Sequence, residues 1–388
     1  MATKRWFPGH YIQAYDQASR TCLVESERLL VSANANFQGY QIAVWWDQIE
    51  PSFGVYDFTD VLEALDRANL TGKKCWIRFI DRAFQGFLFG RPFPVYLDNA
   101  PYGWFTSQGG ESIVAPKLWE TPTGERWLQA WEALITACDS HPACQGFTTE
   151  EYETQGAYAI HGPGGIPLMD AFWMEAARRG SIKAQSSLIH INTGYGYTRT
   201  PAQLKPITDS IVSNCCGLGP TDIIYTYIGQ GAPQPAEQTT FGQYIFQDPP
   251  NGHRGETFFK MSYEWGAYDG SDSPAEIITY AESVYKCQFI TWDPDRTSTT
   301  LYGGQYDFDD VISAVNAASG LIYSVKPTNV VAYNNESTTP EVTYPPIPVP
   351  QVGSWFAKTT SGQNTWATRA ATAPAAGKPG RPRRARFY

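Results

Sequence analysis

Glutamates follow two apolar segments of this sequence, at positions where they could take part in bond cleavage. Glu264 follows the segment Phe258–Tyr263. Three more glutamates follow the segment Gly146–Thr149, namely Glu150, Glu151 and Glu153. A carboxyl group can serve as general acid, general base or nucleophile, according to whether it is protonated or ionised. The two segment ends therefore supply candidate carboxyl groups for such chemistry.

The side-chain period of an extended strand separates the three glutamates of the earlier group. Glu151 and Glu153 share a face with Phe147, whereas Glu150 lies on the opposite face. Each of the three is a candidate partner for Glu264, and the period alone does not choose between them.

A strand–helix–strand unit shows how the chain would bring such segment ends together. Gln41–Trp46 is a short apolar run typical of a buried strand. Apolar residues then recur at helical spacing over Phe58–Ala68, and Lys74–Phe79 forms the next strand. This order and spacing predict a right-handed βαβ unit, in which both strands are parallel.

The same alternation continues along the chain and gives about eight strand–helix pairs between residues 4 and 324. Eight parallel strands close into a barrel, so the sequence predicts one α/β domain with the (β/α)8 TIM-barrel fold. Two long segments, 81–123 and 229–254, follow strands and should lie over the top face, where the carboxyl ends of the strands meet. The sixth strand is predicted at Asp222–Ile228.

The βαβ unit also resembles a known family. Its first strand ends in a W-x-x-I-E-P motif, G-V-Y-D-F follows, and the next strand carries an arginine. The residues that match are Trp46, Ile49, Glu50, Pro51, Gly54, Tyr56, Asp57, Phe58 and Arg78. This pattern resembles the (β/α)8 glycoside hydrolases of the clan that contains cellulase-like and β-galactosidase-like enzymes. The resemblance is detailed over this unit only, and it implies a retaining reaction by two glutamates at the ends of strands four and seven.

Carried onto this sequence, the resemblance implies that Glu151 is the acid/base and Glu264 the nucleophile. Enzymes of that clan commonly have an asparagine before the acid/base, and here Glu150 or Thr149 stands at that position. Glu50 matches a structural position of the clan, so we expect it to fix a loop.

Five further side chains are candidates for binding the substrate. Arg78 could hold the nucleophile in its ionised form, because a nearby cation favours a carboxylate. Trp292 could form the floor under a sugar ring, because indole rings stack on the apolar faces of pyranoses. The full set of binding candidates is Arg78, Trp292, Tyr195, Tyr225 and Trp265.

The chain changes character after Ser324. Residues 339–350 are rich in proline and read as an extended, polyproline-like segment. Residues 367–388 carry six basic side chains and no acidic one. We expect 325–388 to form an arm separate from the barrel, either solvated or docked on an acidic partner. A docked arm would favour a homo-oligomer or a larger assembly.

Composition and motifs narrow the possible functions. The 388 residues carry a net charge of −9 with the basic residues of the arm included, so we expect no nucleic-acid partner. The five histidines lack metal-ligand spacing and no nucleotide-binding motif follows a strand, so neither a metal nor another cofactor is expected. No apolar run is long enough to span a membrane, and the start lacks the apolar region of a secretory signal. These features predict synthesis in a cytoplasm.

Two functions fit these observations. One is a retaining glycoside hydrolase that cleaves or binds a polysaccharide or oligosaccharide. The alternative is a non-catalytic structural or glycan-binding subunit of an assembly, such as a virion, a phage particle or a filament, with the barrel as scaffold.

Overall fold

Parallel strands surround the centre of the molecule in the computed structural model. The structure describes residues 4–83, 90–106, 113–150, 161, 164–193, 200–219, 245–250, 252–263, 273–283, 285–294 and 306–333. The strands in these ranges are β1 Gly9–Gln13, β2 Phe37–Trp45, β3 Lys74–Ile80, β4 Trp104–Thr106, β5 Val114–Pro116, β6 Cys144–Thr149, β7 Leu188–Asn192, β8 Gly217–Gly219, β9 Lys260–Tyr263 and β10 Phe289–Trp292.

Eight of these strands form one closed sheet. Their order is β8-β7-β6-β3-β2-β1-β10-β9, and each neighbouring pair is parallel. A parallel bridge between Leu218 and Phe259 joins the two ends of this order and closes the barrel. The predicted (β/α)8 barrel is confirmed, and β6 and β9 are its fourth and seventh strands. The remaining two strands, β4 and β5, form an antiparallel hairpin within the long segment after β3.

Helices follow the barrel strands and cover the outside of the sheet. They are α1 Glu25–Val31, α2 Trp46–Ile49, α3 Thr59–Leu70, α4 Thr121–Cys138, α5 Gly165–Lys183, α6 Pro201–Ser213, α7 Pro274–Ser283 and α8 Phe308–Ala317. In α3, the residues at helical spacing that are buried against the sheet are Val61, Ala64, Leu65 and Ala68. The capping box of α6, between Thr200 and Gln203, satisfies backbone N–H groups at the start of that helix.

Side chains alternate between the barrel interior and the shell under the helices. On β3, Trp76 and Arg78 point inward, whereas Ile77 and Phe79 join the large apolar core beneath the helices. An aromatic layer fills the lower interior, towards the amino ends of the strands, and consists of Tyr11, Trp76, Phe258 and Phe289 with Leu188. Above this layer the interior holds buried polar side chains, among them Arg78 and Lys260, and a small apolar cluster of Ala43, Trp45 and Ile80.

The segment 321–333 runs beneath the barrel. Val330 packs into the lower aromatic layer, and Asn329 donates hydrogen bonds to the Cys216 carbonyl (3.2 Å) and to Thr257 Oγ1 (2.7 Å). These contacts tie residues at the start of the predicted arm to the barrel. The rest of that arm, 334–388, lies outside the described residues, so the division of the chain near residue 324 stays a prediction.

The sixth barrel strand in the described residues is β8, Gly217–Gly219, which precedes the predicted Asp222–Ile228. The predicted range itself lies outside the described residues. The β8 glycines are required by close packing: a Cβ on Gly217 would lie 2.2 Å from the Phe258 ring, and one on Gly219 would lie 1.8 Å from the Lys260 carbonyl oxygen. A strand with so little side chain gives no apolar period to recognise.

Candidate functional site

The W-x-x-I-E-P motif builds a buried support for the top of the barrel. Glu50 is fully buried, and its carboxylate accepts hydrogen bonds from Trp46 Nε1 (2.8 Å) and from the Gly54 backbone N–H (2.9 Å). Arg126, on α4, forms an ion pair with the same carboxylate. The prediction that Glu50 fixes a loop is confirmed, because one carboxylate ties together α2, the turn after it and α4.

A buried ion pair lies at the carboxyl ends of the third and fourth barrel strands. Arg78 on β3 donates from Nε to Glu150 Oε2 at 2.8 Å, and its Nη2 donates to Glu150 Oε1. Its Nη1 donates to the Tyr15 hydroxyl, also at 2.8 Å. The side chains of Arg78 and Glu150 are only 7 % and 3 % exposed. This two-pronged arrangement fixes the orientation of both groups.

The position of Glu150 follows from the alternation along β6. Phe147 packs outward against Trp131 of α4, whereas Thr148 hydrogen-bonds inward to His190 on β7. Glu150, two residues after Thr148, therefore points to the interior and meets Arg78. The carboxylate next to the predicted acid/base is thus a partner of the arginine.

A lysine lies in the interior beneath this ion pair. Lys260, the first residue of β9, is 2 % exposed, and its Nζ donates to Gln41 Oε1 of β2 at 2.5 Å. The same Nζ lies 5.7 Å from the centre of the Trp76 ring. Among the described residues, no carboxylate forms a salt bridge with this amino group.

Burial and charge both act on Lys260. Removal from water lowers the pKa of its amino group to about 7, and the nearby Arg78 guanidinium adds to the lowering, while Cys287 and Glu150 oppose it. His190, whose Nδ1 lies 2.7 Å from Thr148 Oγ1, has its pKa lowered by burial and by Lys260. The interior thus holds a neutral imidazole and a lysine that changes charge near neutral pH.

Trp292 does not lie on the interior face. It is fully buried in the shell between sheet and helices, where its Nε1 donates to His10 Nδ1 at 3.0 Å and its ring stacks on the same imidazole. Phe289 and Thr291 alternate with it and take the inner face. A role as the floor under a sugar ring does not fit this position, because the indole is covered on the helix side of the strand.

The other predicted site residues fall into two groups. Arg78 lies at the top of the barrel interior, as the resemblance implies, and its part in substrate binding stays a prediction. The catalytic pair and three of the binding candidates lie outside the described residues, namely Glu151, Glu264, Tyr195, Tyr225 and Trp265.

Sequence reasoning missed three members of the interior cluster: Gln41, Lys260 and His190. A signal for one of them was present, because Lys260 and Glu264 share one face of an extended strand by the period of two. For Gln41 and His190 no such signal exists, since an apolar strand that is buried on both faces gives no contrast between inside and outside.

The described parts of the chain contain no group of three or more His, Cys, Asp or Glu side chains arranged to hold a metal ion. All seven cysteines are free thiols, and six of them are buried. None of the helices in the described ranges has the length and apolar character that crossing a bilayer requires.

The backbone is similar to several solved structures. A β-mannanase from the blue mussel Mytilus edulis has a TM-score of 0.50 at 9 % identity, over 84 % of this chain and 99 % of that one. Endo-glycoceramidase II from Rhodococcus sp. has a TM-score of 0.49 at 12 % identity, over 81 % of this chain and 80 % of that one. A β-1,4-D-mannanase from Cryptopygus antarcticus has a TM-score of 0.47 at 9 % identity, over 85 % and 98 %.

At these identities the likeness to the mussel enzyme shows the barrel fold and does not extend to individual residues. No protein-family model and no curated protein matches the sequence.

Proposed function

We propose that this chain is a glycoside hydrolase that cleaves an O-glycosyl bond of a polysaccharide or oligosaccharide with retention of configuration. Glu151 is the proposed acid/base and Glu264 the proposed nucleophile. The observation that carries the proposal is the buried Arg78–Glu150 pair, which lies at the top of barrel strands three and four, directly before Glu151 in the chain. Active sites of (β/α)8 barrels lie at this end of the strands.

The ion pair between Glu150 and Arg78 supports Glu151 over Glu150 as the acid/base. Both carboxylate oxygens of Glu150 accept hydrogen bonds from Arg78, so neither is free to face the leaving group of a substrate. Glu150 would then take the position at which the resembling clan has its asparagine. Glu153 remains the alternative to Glu151 as the acid/base.

The alternation along β9 supports Glu264. Phe258 and Lys260 both face the barrel interior. Continuing the period of two through Ser262 assigns Glu264 to the same face, at the carboxyl end of the strand. A glutamate there would face the end of β6 across the top of the barrel.

In the proposed reaction, the Glu264 carboxylate attacks the anomeric carbon and forms a covalent bond to the sugar. Glu151 gives its proton to the glycosidic oxygen as that carbon–oxygen bond breaks. Glu151, now ionised, then takes a proton from water, whose oxygen displaces Glu264 and restores both carboxyl groups. This double displacement requires the two carboxyl groups to be about 5–5.5 Å apart.

Hydrolysis of aryl glycosides with a good leaving group tests this proposal. Glu264→Gln should lower kcat by roughly three orders of magnitude or more, because no covalent bond can form. Glu151→Gln should still release the aryl alcohol rapidly in the first turnover and then stall, because water has no general base. Azide, a nucleophile that needs no base, should restore turnover of Glu151→Gln.

The matched control is Glu63→Gln, an exposed change on α3 that should leave all rates unaltered. Full activity of the Glu264→Gln protein would refute the assignment. Azide rescue of Glu153→Gln in place of Glu151→Gln would move the acid/base role to Glu153.

The composition of the arm favours a second function, that of a glycan-binding or structural subunit of a virion or filament. The arm combines a proline-rich segment with six basic residues, a composition suited to docking on an acidic partner. The full chain should then form an oligomer that a chain ending at Tyr333 does not form, as light scattering would measure. Oligomers of equal size for both chains would exclude assembly through the arm.

A further inference from the structure

The amino group of Lys260 lies inside the barrel, where its charge acts on the ion pair above it. Its Nζ is held by Gln41 Oε1 at 2.5 Å and lies over the Trp76 ring. Four described residues with titratable side chains act on it or are acted on by it: Arg78, Glu150, His190 and Cys287. Of these four, Arg78 and Glu150 form an ion pair, while burial lowers the pKa of His190 and raises that of the Cys287 thiol to about 12.

We propose that Lys260 is a positioning residue that sets the charge around the Arg78–Glu150 pair, and through it the pH range in which the site works. Protonated Lys260 makes the interior group of Lys260, Arg78 and Glu150 net positive, and loss of that proton makes it neutral. The inference deepens the proposed function and rests on it for the effect on catalysis, but its effect on Arg78 is independent of any catalysis.

Geometry supports a role beyond packing. Among the described residues, the buried amino group of Lys260 has one hydrogen-bond partner, the Gln41 amide oxygen. A buried ammonium with so little compensation is unfavourable, and an apolar side chain of similar length would avoid that cost. Lowering of the Lys260 pKa to about 7 follows from the same burial and from the repulsion by Arg78. The amino group is therefore protonated below neutral pH and neutral above it.

The direction of the effect on catalysis follows from the charge. A positive charge under the site favours ionised carboxyl groups, so protonated Lys260 helps to keep the nucleophile ionised at acidic pH. A neutral Lys260 helps to keep the acid/base protonated at alkaline pH. Glu264 follows Lys260 by four positions, a spacing of roughly 13 Å in extended chain. A unit charge at that distance shifts the pKa of a carboxyl group by about one unit at an effective dielectric constant of about 20.

Two variants of Lys260 separate these effects in the pH profile of kcat/KM. Lys260→Met, which is always neutral, should move the acidic limb of the profile up by about one pH unit and leave the alkaline limb in place. Lys260→Arg, which is always charged, should move the alkaline limb down by about one unit and leave the acidic limb in place. A merely structural role would lower kcat/KM at every pH without moving either limb.

Lys73→Met is the matched control for loss of a buried lysine. Its Nζ donates to the backbone carbonyls of Asn34 and Phe37, near the amino end of β3 and away from the Arg78–Glu150 pair. This variant should keep both limbs of the wild-type profile. If Lys260→Met does not fold, Lys260→Gln, which is neutral and can still donate to Gln41, replaces it.

The second measurement does not need an active enzyme. The NMR resonance of the Arg78 Nε–H group can be assigned by its absence from the spectrum of Arg78→Lys. In the wild-type protein, its chemical shift should change with pH with a midpoint near pH 7. It should stay constant between about pH 6 and pH 9 in Lys260→Met. An Arg78 resonance that is unaffected by pH in the wild-type protein overturns the proposal for Lys260, whatever the activity. If no glycoside is cleaved but the resonance shifts as expected, the proposed function fails and the charge coupling stands.

Discussion

His10 should make the protein less stable in acid, and the structure gives the size of the effect. The imidazole is fully buried between β1 and the shell; its Nδ1 accepts from Trp292 Nε1 (3.0 Å), and its Nε2 lies 2.9 Å from the Leu321 carbonyl oxygen. With Nδ1 accepting, Nε2 must carry the proton that is donated to Leu321. A second proton would remove the acceptor for the Trp292 indole, and burial lowers the His10 pKa to about 4.

The sign of the pH dependence follows from the protons bound in each state. Between pH 6.5 and about 4, the unfolded chain protonates His10 and the folded chain does not, so acid stabilises the unfolded state. The difference between the pKa of 6.5 in the unfolded chain and about 4 in the folded protein corresponds to about 3 kcal/mol in the limit of low pH, and to about 2 kcal/mol at pH 5. This contribution is fully present above pH 6.5 and is lost as the pH falls through that window.

Urea denaturation at pH 7.5, 6, 5 and 4.5 measures this loss when wild type is compared with His10→Gln. Glutamine can accept from Trp292 and donate to Leu321 but does not titrate, so the variant should lose about 2 kcal/mol less than wild type between pH 7.5 and pH 5. His141→Gln, at a histidine whose Nε2 lies 3.1 Å from Asp66 Oδ1 near the surface, is the control for loss of a histidine outside this cluster. Parallel curves for wild type and His10→Gln would refute the reasoning.

Two further changes test the supports of the barrel. Glu50→Ala should lower the free energy of unfolding by about 3–5 kcal/mol, because it leaves the buried Arg126 guanidinium without its carboxylate partner. A free energy of unfolding from urea denaturation that equals the wild-type value within error would contradict this. Gly39→Ala should prevent stable pairing of β2 with β3, because its Cβ would lie 1.8 Å from the Lys74 carbonyl oxygen. Thermal unfolding should detect that loss, while Gly54→Ala, with open space but a φ of +72°, should cost only about 1 kcal/mol.

The sequence alone determined the architecture, because the features that encode it are local. Apolar runs of strand length, amphipathic helices and short connections recur along the chain, and such units can close only as parallel strands with helices outside. The role of Glu50 was also readable, since its partners Trp46 and Gly54 lie four residues away on either side.

Tertiary structure alone decided which side chains share the interior. Strands of a barrel are buried on both faces, so the apolar pattern of β10 does not tell that Trp292 faces the helices and Thr291 the interior. Arg78 and Glu150 are 72 residues apart, and Lys260 and Gln41 are 219 apart; their pairing depends on the stagger between strands. That stagger is set by barrel closure, in which every strand takes part, and no single segment of the chain encodes it.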